Sequence, residues 1–305
     1  MSIIEDIKHA FRQPNNTLKQ LILINVIVFL LFLIVGTPLS WMGFEWVEKI
    51  ALYYLSLPSD PLEFITKPWT LITYFFTHEG FLHILFNMLN LYWFGMLINE
   101  YLGNRKLLSL YILGGIAGGL LYIVFYNLLP GFSERSANSQ LIGASASVLA
   151  IVVAAATLLP NYTFNLLLIG PVKIKWIAAA LVLMSWAFAR GGSGNAGGNI
   201  AHLGGALIGW IYIKQLQRGT DFGRPIHAVL DFLTGLFKRK PNLKVTHRRT
   251  TGTTTANGST SSTVGQPGKP SQYEIDRILD KISSSGYESL SKEEKQKLFQ
   301  ASQKD

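Results

Sequence analysis

Four polar residues stand inside otherwise apolar stretches of this sequence: His83 and Asn87 in HILFN, Ser145 in LIGASASVLAIV, and His202 in AHLGGALIG. Serine and histidine together are the parts of nucleophilic acyl transfer. The imidazole takes the hydroxyl proton and later returns it to the leaving group. His83 and Asn87 lie four residues apart, so they share one face of a helix and add two donors that suit a developing oxyanion. Each residue alone has a plainer reading. A serine among glycines and alanines packs helices, and a histidine in a span serves equally as a structural hydrogen-bonder, a proton relay or a metal ligand.

The elements that position these residues are membrane helices. Of 305 residues, 49% are hydrophobic and only 15% charged, against about 25% charged in a soluble domain. The absence of cysteine excludes disulfides and thiolate metal sites. The net charge of +9 does not point to nucleic acid, because Lys238, Arg239, Lys240, Lys244, Arg248 and Arg249 cluster in the C-terminal tail and other cations sit at helix ends. That placement fits topology signals and anionic lipid. No cleavable signal peptide is evident at the start.

A span needs about 20 apolar residues. Six segments fit or come close: about 19–36, 82–101, 107–129, 144–159, 172–189 and 198–217. Between the first two, WMGFEWVEKIALYYLSLPSD (41–60) is too acidic to span, and its aromatics suit an interfacial loop. Lys8, Arg12 and Lys19, then Arg105 and Lys106, Lys173 and Lys175, and Lys214 and Arg218 fall on one side. The alternate loops carry little net positive charge, so both termini are expected in the cytoplasm of a multi-pass cell-membrane protein.

The expected organisation is a cytoplasmic segment 1–18, a six-helix membrane domain 19–217, a basic then Ser/Thr/Gly-rich flexible linker 218–270, and a small cytoplasmic helical hairpin 271–305. In the hairpin, Gly286 ends one helix and Ser291 with Glu294 forms a capping-box pattern.

With this topology His83, Asn87, Ser145 and His202 all lie toward the extracytoplasmic side. The fourth segment, about 24 Å long as a helix, is shorter than the ~30 Å hydrocarbon core. Ser145 therefore starts below the surface, beside helix N–H groups that need partners. Gly205 and Gly209 form a small-xxx-small ridge on the sixth segment, and Ser147, Ala150 and Ala154 offer a matching face on the fourth. Packing of those faces brings Ser145 toward His202. A metal site at His78, His83 and His202 is disfavoured, since the local text is THEG rather than HExxH. A proton-coupled transporter using His83 and His202 predicts matching halves, and none are visible.

PWTLITYFFTH leading into HILFN, then GAS with Ser145, then AHLGGALIG with His202 resembles the rhomboid family of intramembrane serine proteases over roughly residues 68–214. The resemblance implies an all-α, rhomboid-like bundle of six transmembrane helices with an interfacial loop after the first, here carrying the small C-terminal appendage. It implies a Ser145–His202 dyad without an acidic third member, with His83, Asn87 and the Ser145 amide on the oxyanion, and no cofactor or metal. Substrates are then single-pass transmembrane proteins cut in or near the lipid bilayer, with the fifth span and loop 190–198 as gate and cap. The alternative is a catalytically silent relative that binds or escorts membrane proteins.

Three departures stand out. Ala146 replaces the second glycine of GASG, and its methyl is expected to narrow the oxyanion pocket. Trp69-Thr70 replaces Trp-Arg, removing a loop cation, and Glu100 stands one residue closer to its following glycine. The tail resembles a short helical module attached to rhomboids of Bacteroidetes-type bacteria.

Overall fold

The computed structural model describes residues 3–13, 16–133, 139–166, 169–189, 195–237 and 272–302. The chain divides into two units, Met1–Lys240 and Pro241–Asp305. The larger unit is a helical membrane bundle. Among the described residues, the first span (Thr17–Trp41), the second (Phe81–Leu102) and the third (Asn104–Leu128) are long and apolar enough to cross a bilayer. The fourth (Ser145–Leu158) and fifth (Ile174–Phe188) are shorter apolar helices. The sixth (Ala196–Gln217) has 22 residues and a glycine- and asparagine-containing first turn.

The fourth span is the centre of the bundle. Its 14 residues reach only about 21 Å, and ten of them are buried, from Ala146 to Ala156. Burial so complete needs neighbours without side chains. The third span supplies Gly114 and Gly118, where an added Cβ would lie 2.5 Å from the Ala150 Cβ and 2.6 Å from the Ala146 Cβ. The sixth supplies Gly205 and Gly209, whose Cβ would meet the carbonyl oxygens of Ala146 and Ala150 at 2.1 and 2.2 Å. The expected Gly205/Gly209 ridge is therefore present, but it packs on Ala146 and Ala150. Ser147 turns to the third span instead, with Oγ 2.8 Å from the Cβ position of Gly115.

Polar groups tie the interfacial loop to this core. Asn25 Nδ2 on the first span donates to the Tyr111 hydroxyl on the third (2.9 Å), and that hydroxyl donates to the Phe75 carbonyl (2.9 Å). The Tyr74 hydroxyl donates to the Gly115 carbonyl at 2.6 Å. All three side chains are buried, where an unmet polar group costs several kcal/mol in lipid. Strand β1 (Leu57–Pro58) pairs antiparallel with β2 (Gln140–Leu141), just before the fourth span. A hairpin of β3 (Thr163–Leu166) and β4 (Gly170–Lys173) joins the fourth span to the fifth.

The loop has a cation after all. Thr70 is not basic, but the Lys67 ammonium is buried, donates to the Tyr53 carbonyl (2.9 Å) and Glu63 Oε1 (2.7 Å), and sits 3.3 Å from the centre of the Tyr53 ring. Trp69 Nε1 donates to the Tyr54 carbonyl beside it. A charge three residues before Thr70 thus supplies the loop with a cation. Lys67→Met should lower unfolding stability by roughly 1–3 kcal/mol, the cost of stripping partners from buried polar groups; denaturant titration in detergent micelles measures it. A change under a few tenths would show the cation to be idle.

Part of the expected linker is helical. Arg224–Phe237 forms an amphipathic helix with Val229, Phe232 and Leu233 exposed. His227 Nε2 is hydrogen bonded to Ser109 Oγ on the third span at 2.9 Å. Just before this helix, Asp221 accepts from Lys106, from the Tyr212 hydroxyl (3.1 Å) and from the Gly223 N–H (2.9 Å). Residues 238–270 of that linker lie outside the described residues.

The smaller unit is a helical hairpin, Gln272–Ser285 and Lys292–Ser302. Its capping box is complete: Ser291 Oγ accepts from the Glu294 N–H (3.2 Å), and Glu294 Oε2 accepts from the Ser291 N–H (2.8 Å). Gly286, at φ +75°, ends the first helix, and Lys281 pairs with Glu294 at 2.9 Å.

Candidate active site

The head of the fourth span is set by its approach. Gly143 has φ +115°, and an added Cβ would lie 2.7 Å from His83 Cε1 and Nε2, so only glycine lets the histidine ring lie over this turn. The Gly143 N–H donates to the Tyr74 carbonyl (2.9 Å) and the Ala144 N–H to His78 Nε2 (3.4 Å). The helix then opens at Ser145 without a side-chain cap, and its first turn closes with Val148 N–H on the Ala144 carbonyl. Helix N–H groups before that bond have no intrahelical acceptor.

A cavity of about 240 Å³ opens beside Ser145, between the second, fourth, fifth and sixth spans. Ser145, Asn87 and His202 line it, together with Ser185 and Asn199, while Val148, Val152, Leu181 and Met184 make its walls apolar. Asn87 is buried, and no group among the described residues hydrogen bonds to its Nδ2. His202 Nε2 is likewise enclosed and unpartnered, so Ser145 Oγ and the imidazole share the cavity without a hydrogen bond between them. His202 Nδ1 is engaged instead, 3.1 Å from Ser185 Oγ on the fifth span. His83 stands outside the cavity lining, over Gly143 and edge-on to His78 at 5.1 Å between ring centres.

Thus the cavity gathers Ser145, His202 and Asn87, places His83 at the turn beside them, and uses Gly205 and Gly209 as the contact that brings the sixth span in. The Ala146 methyl does not narrow the pocket. It points into the third-span interface at Gly118, and Ala146 is absent from the lining. Of the loop 190–198, residues 190–194 lie outside the described residues, and Ala196 already begins the sixth span. Sequence reasoning missed Ser185, although a buried hydroxyl inside a span was an available signal. His78, which closes the PWTLITYFFTH stretch, was weighed only as a metal ligand, and the structure sets its Nε2 against the helix head instead.

His78 lies in the loop before the second span and is 3% exposed. Burial, reinforced by the neighbouring His83, pushes its imidazole down to about 4 from an ordinary 6.5. Between those values the unfolded chain binds a proton here that the folded chain does not. Stability is therefore full above pH 6.5 and declines as pH falls toward about 4. This residue alone should account for about 3 kcal/mol across the window. Unfolding at stepped pH should show a slope that His78→Gln flattens, and an unchanged slope in that variant would rule His78 out as its source.

The fold and this arrangement define a helical membrane protein of one family. Residues 66–218 match the rhomboid domain, and the chain belongs to the rhomboid family. It is 30% identical over 158 residues to RHOMBOID-like protein 12, mitochondrial, of Arabidopsis thaliana, covering 49% of this chain and 47% of that protein. It is 30% identical over 212 residues to Rhomboid protein 1, mitochondrial, of Saccharomyces cerevisiae, covering 68% of this chain and 55% of the relative. Over 82 residues it is 32% identical to Inactive RHOMBOID-like protein 8 of Arabidopsis thaliana, 27% of this chain and 23% of that one. The chain spans about half the length of the first two relatives. Residues 269–304 match a family of unknown function (DUF6576).

Proposed function

We propose that the protein is an intramembrane serine endopeptidase that cuts single-pass membrane proteins in or near their transmembrane segments. The observation that carries this reading is one cavity holding the Ser145 hydroxyl, a bare histidine nitrogen and an unsatisfied amide donor on Asn87. Buried polar atoms without partners are expensive. Their convergence on a serine at a helix head suits a group that arrives during reaction.

In the proposed mechanism Ser145 Oγ attacks the scissile carbonyl carbon and its proton passes to His202 Nε2. Contact between the two is made by rotation of the serine side chain and by substrate, since catalytic hydrogen bonds in an empty site are often long. The tetrahedral oxyanion is held by Asn87 Nδ2, His83 and the Ser145 N–H. The C–N bond then breaks, His202 protonates the leaving amine, and an ester to Ser145 remains. Water attacks that ester with His202 again as base, which releases the acid and restores the hydroxyl. No metal or cofactor takes part.

We further propose a cell-membrane protein with both termini in the cytoplasm, a membrane domain over 19–217 and an appended module at 271–305. The inactive relative keeps a second reading open, a silent protein that binds or escorts membrane helices. A fluorophosphonate probe separates the two. Labelling of folded wild-type protein that is lost in Ser145→Ala is the expected result, together with single-pass proteins that stop being shed in the variant. Folded wild-type protein that takes no label would overturn the protease reading.

A further inference from the structure

Ser185 is the buried polar residue of the fifth span, beside Ile174 and Ala178 on its buried side. Its Oγ lies 2.9 Å from the Leu181 carbonyl one turn back and 3.1 Å from His202 Nδ1 on the sixth span. A carbonyl only accepts, and a hydroxyl has a single proton to give. If that proton goes to Leu181, the Ser185 oxygen accepts from Nδ1–H, and both contacts are hydrogen bonds. If it goes to Nδ1, the Leu181 contact is lost and the imidazole proton moves to Nε2. That leaves an enclosed N–H without an acceptor, and orphaned N–H groups are the rarer case. The first arrangement makes two hydrogen bonds where the second makes one.

We propose that Ser185 is a positioning residue for His202: it accepts from Nδ1–H, fixes that tautomer, and leaves the Nε2 lone pair facing the cavity that Ser145 lines. The proposal rests on the reading of Ser145 and His202 as the reacting pair. It gives the dyad a third, neutral member, supplied by a different helix. In the transition state the imidazolium Nδ1–H strengthens its bond to the same oxygen, because hydrogen bonds to charged groups are the stronger ones.

The test uses full-length protein in bilayers with Ser185→Thr and Ser185→Val, which share a shape and differ by the hydroxyl. Nitrogen-15 NMR of His202, assigned by its loss in His202→Gln, should show Nδ1 protonated and Nε2 bare in wild type and in the threonine variant. The valine variant should show a mixture. Saturation kinetics of fluorophosphonate labelling should give a threonine variant within about threefold of wild type. The valine variant should label on the order of 10- to 100-fold more slowly at saturation, with the half-saturating probe concentration unchanged. A wild-type histidine protonated on Nε2, or a valine variant that labels like wild type, overturns the proposal. A role in packing alone would leave threonine and valine equal. Wild-type protein with the Nδ1–H tautomer that takes no label would count against the protease reading, while the hydrogen bond itself stands.

Discussion

Replacing Asn87 with leucine is expected to lower turnover about 10²–10³-fold while leaving the protein as stable as before, or more so. The two effects have opposite signs for one reason. In the resting protein Asn87 Nδ2 is buried without a partner, so the amide is a cost to folding that a leucine of similar size removes. In the proposed mechanism the same N–H is the donor to the oxyanion, so removing it takes that stabilisation away. Turnover of a reporter single-pass substrate and unfolding in the same micelles measure the two halves. An activity loss that merely tracks a loss of stability would sink the oxyanion role.

Gly205→Ala should be the most damaging single methyl in the bundle. Its Cβ would stand 2.1 Å from the Ala146 carbonyl oxygen and 2.8 Å from the carbon, both backbone atoms that cannot rotate away. The fourth and sixth spans must separate, at a cost of about 1–3 kcal/mol or more. The separation moves Ser145 away from His202, and if these are the reacting pair proposed above, an error of about 1 Å is enough to lose about 10²-fold in rate. Gly131→Ala meets nothing within 4 Å among the described residues and should change neither quantity. If Gly205→Ala kept both wild-type stability and rate, the backbone contact between these spans would not be what sets the site.

Much of the bundle was legible because lipid imposes simple rules. Apolar runs gave the spans, and the expense of a polar group among them singled out Ser145, His202, His83 and Asn87. The same rule covered Ser185, yet a lone serine between Met184 and Trp186 reads as packing until a histidine on another helix is seen beside it. Spacing shows which residues share a face and is silent about what that face meets. Hence the glycines of the third span and the direction of the Ala146 methyl emerge only in three dimensions. Lys67 was hidden for another reason. The cation at Tyr53 comes from a position that a fixed pattern does not anticipate.

The crossing of the third, fourth and sixth spans at Gly118 bears on how such sequences change over time. A Cβ there would collide with the Ala146 Cβ at 2.6 Å and, from the other side, with the Ala201 carbonyl at 2.7 Å. Trimming residue 146 back to glycine relieves only the first collision, so no substitution on the fourth span alone makes room for a side chain at 118. The constraint runs one way. Position 146 has room for its methyl only while 118 stays bare, so the alanine after Ser145 is accommodated by the third span and stays out of the cavity lining.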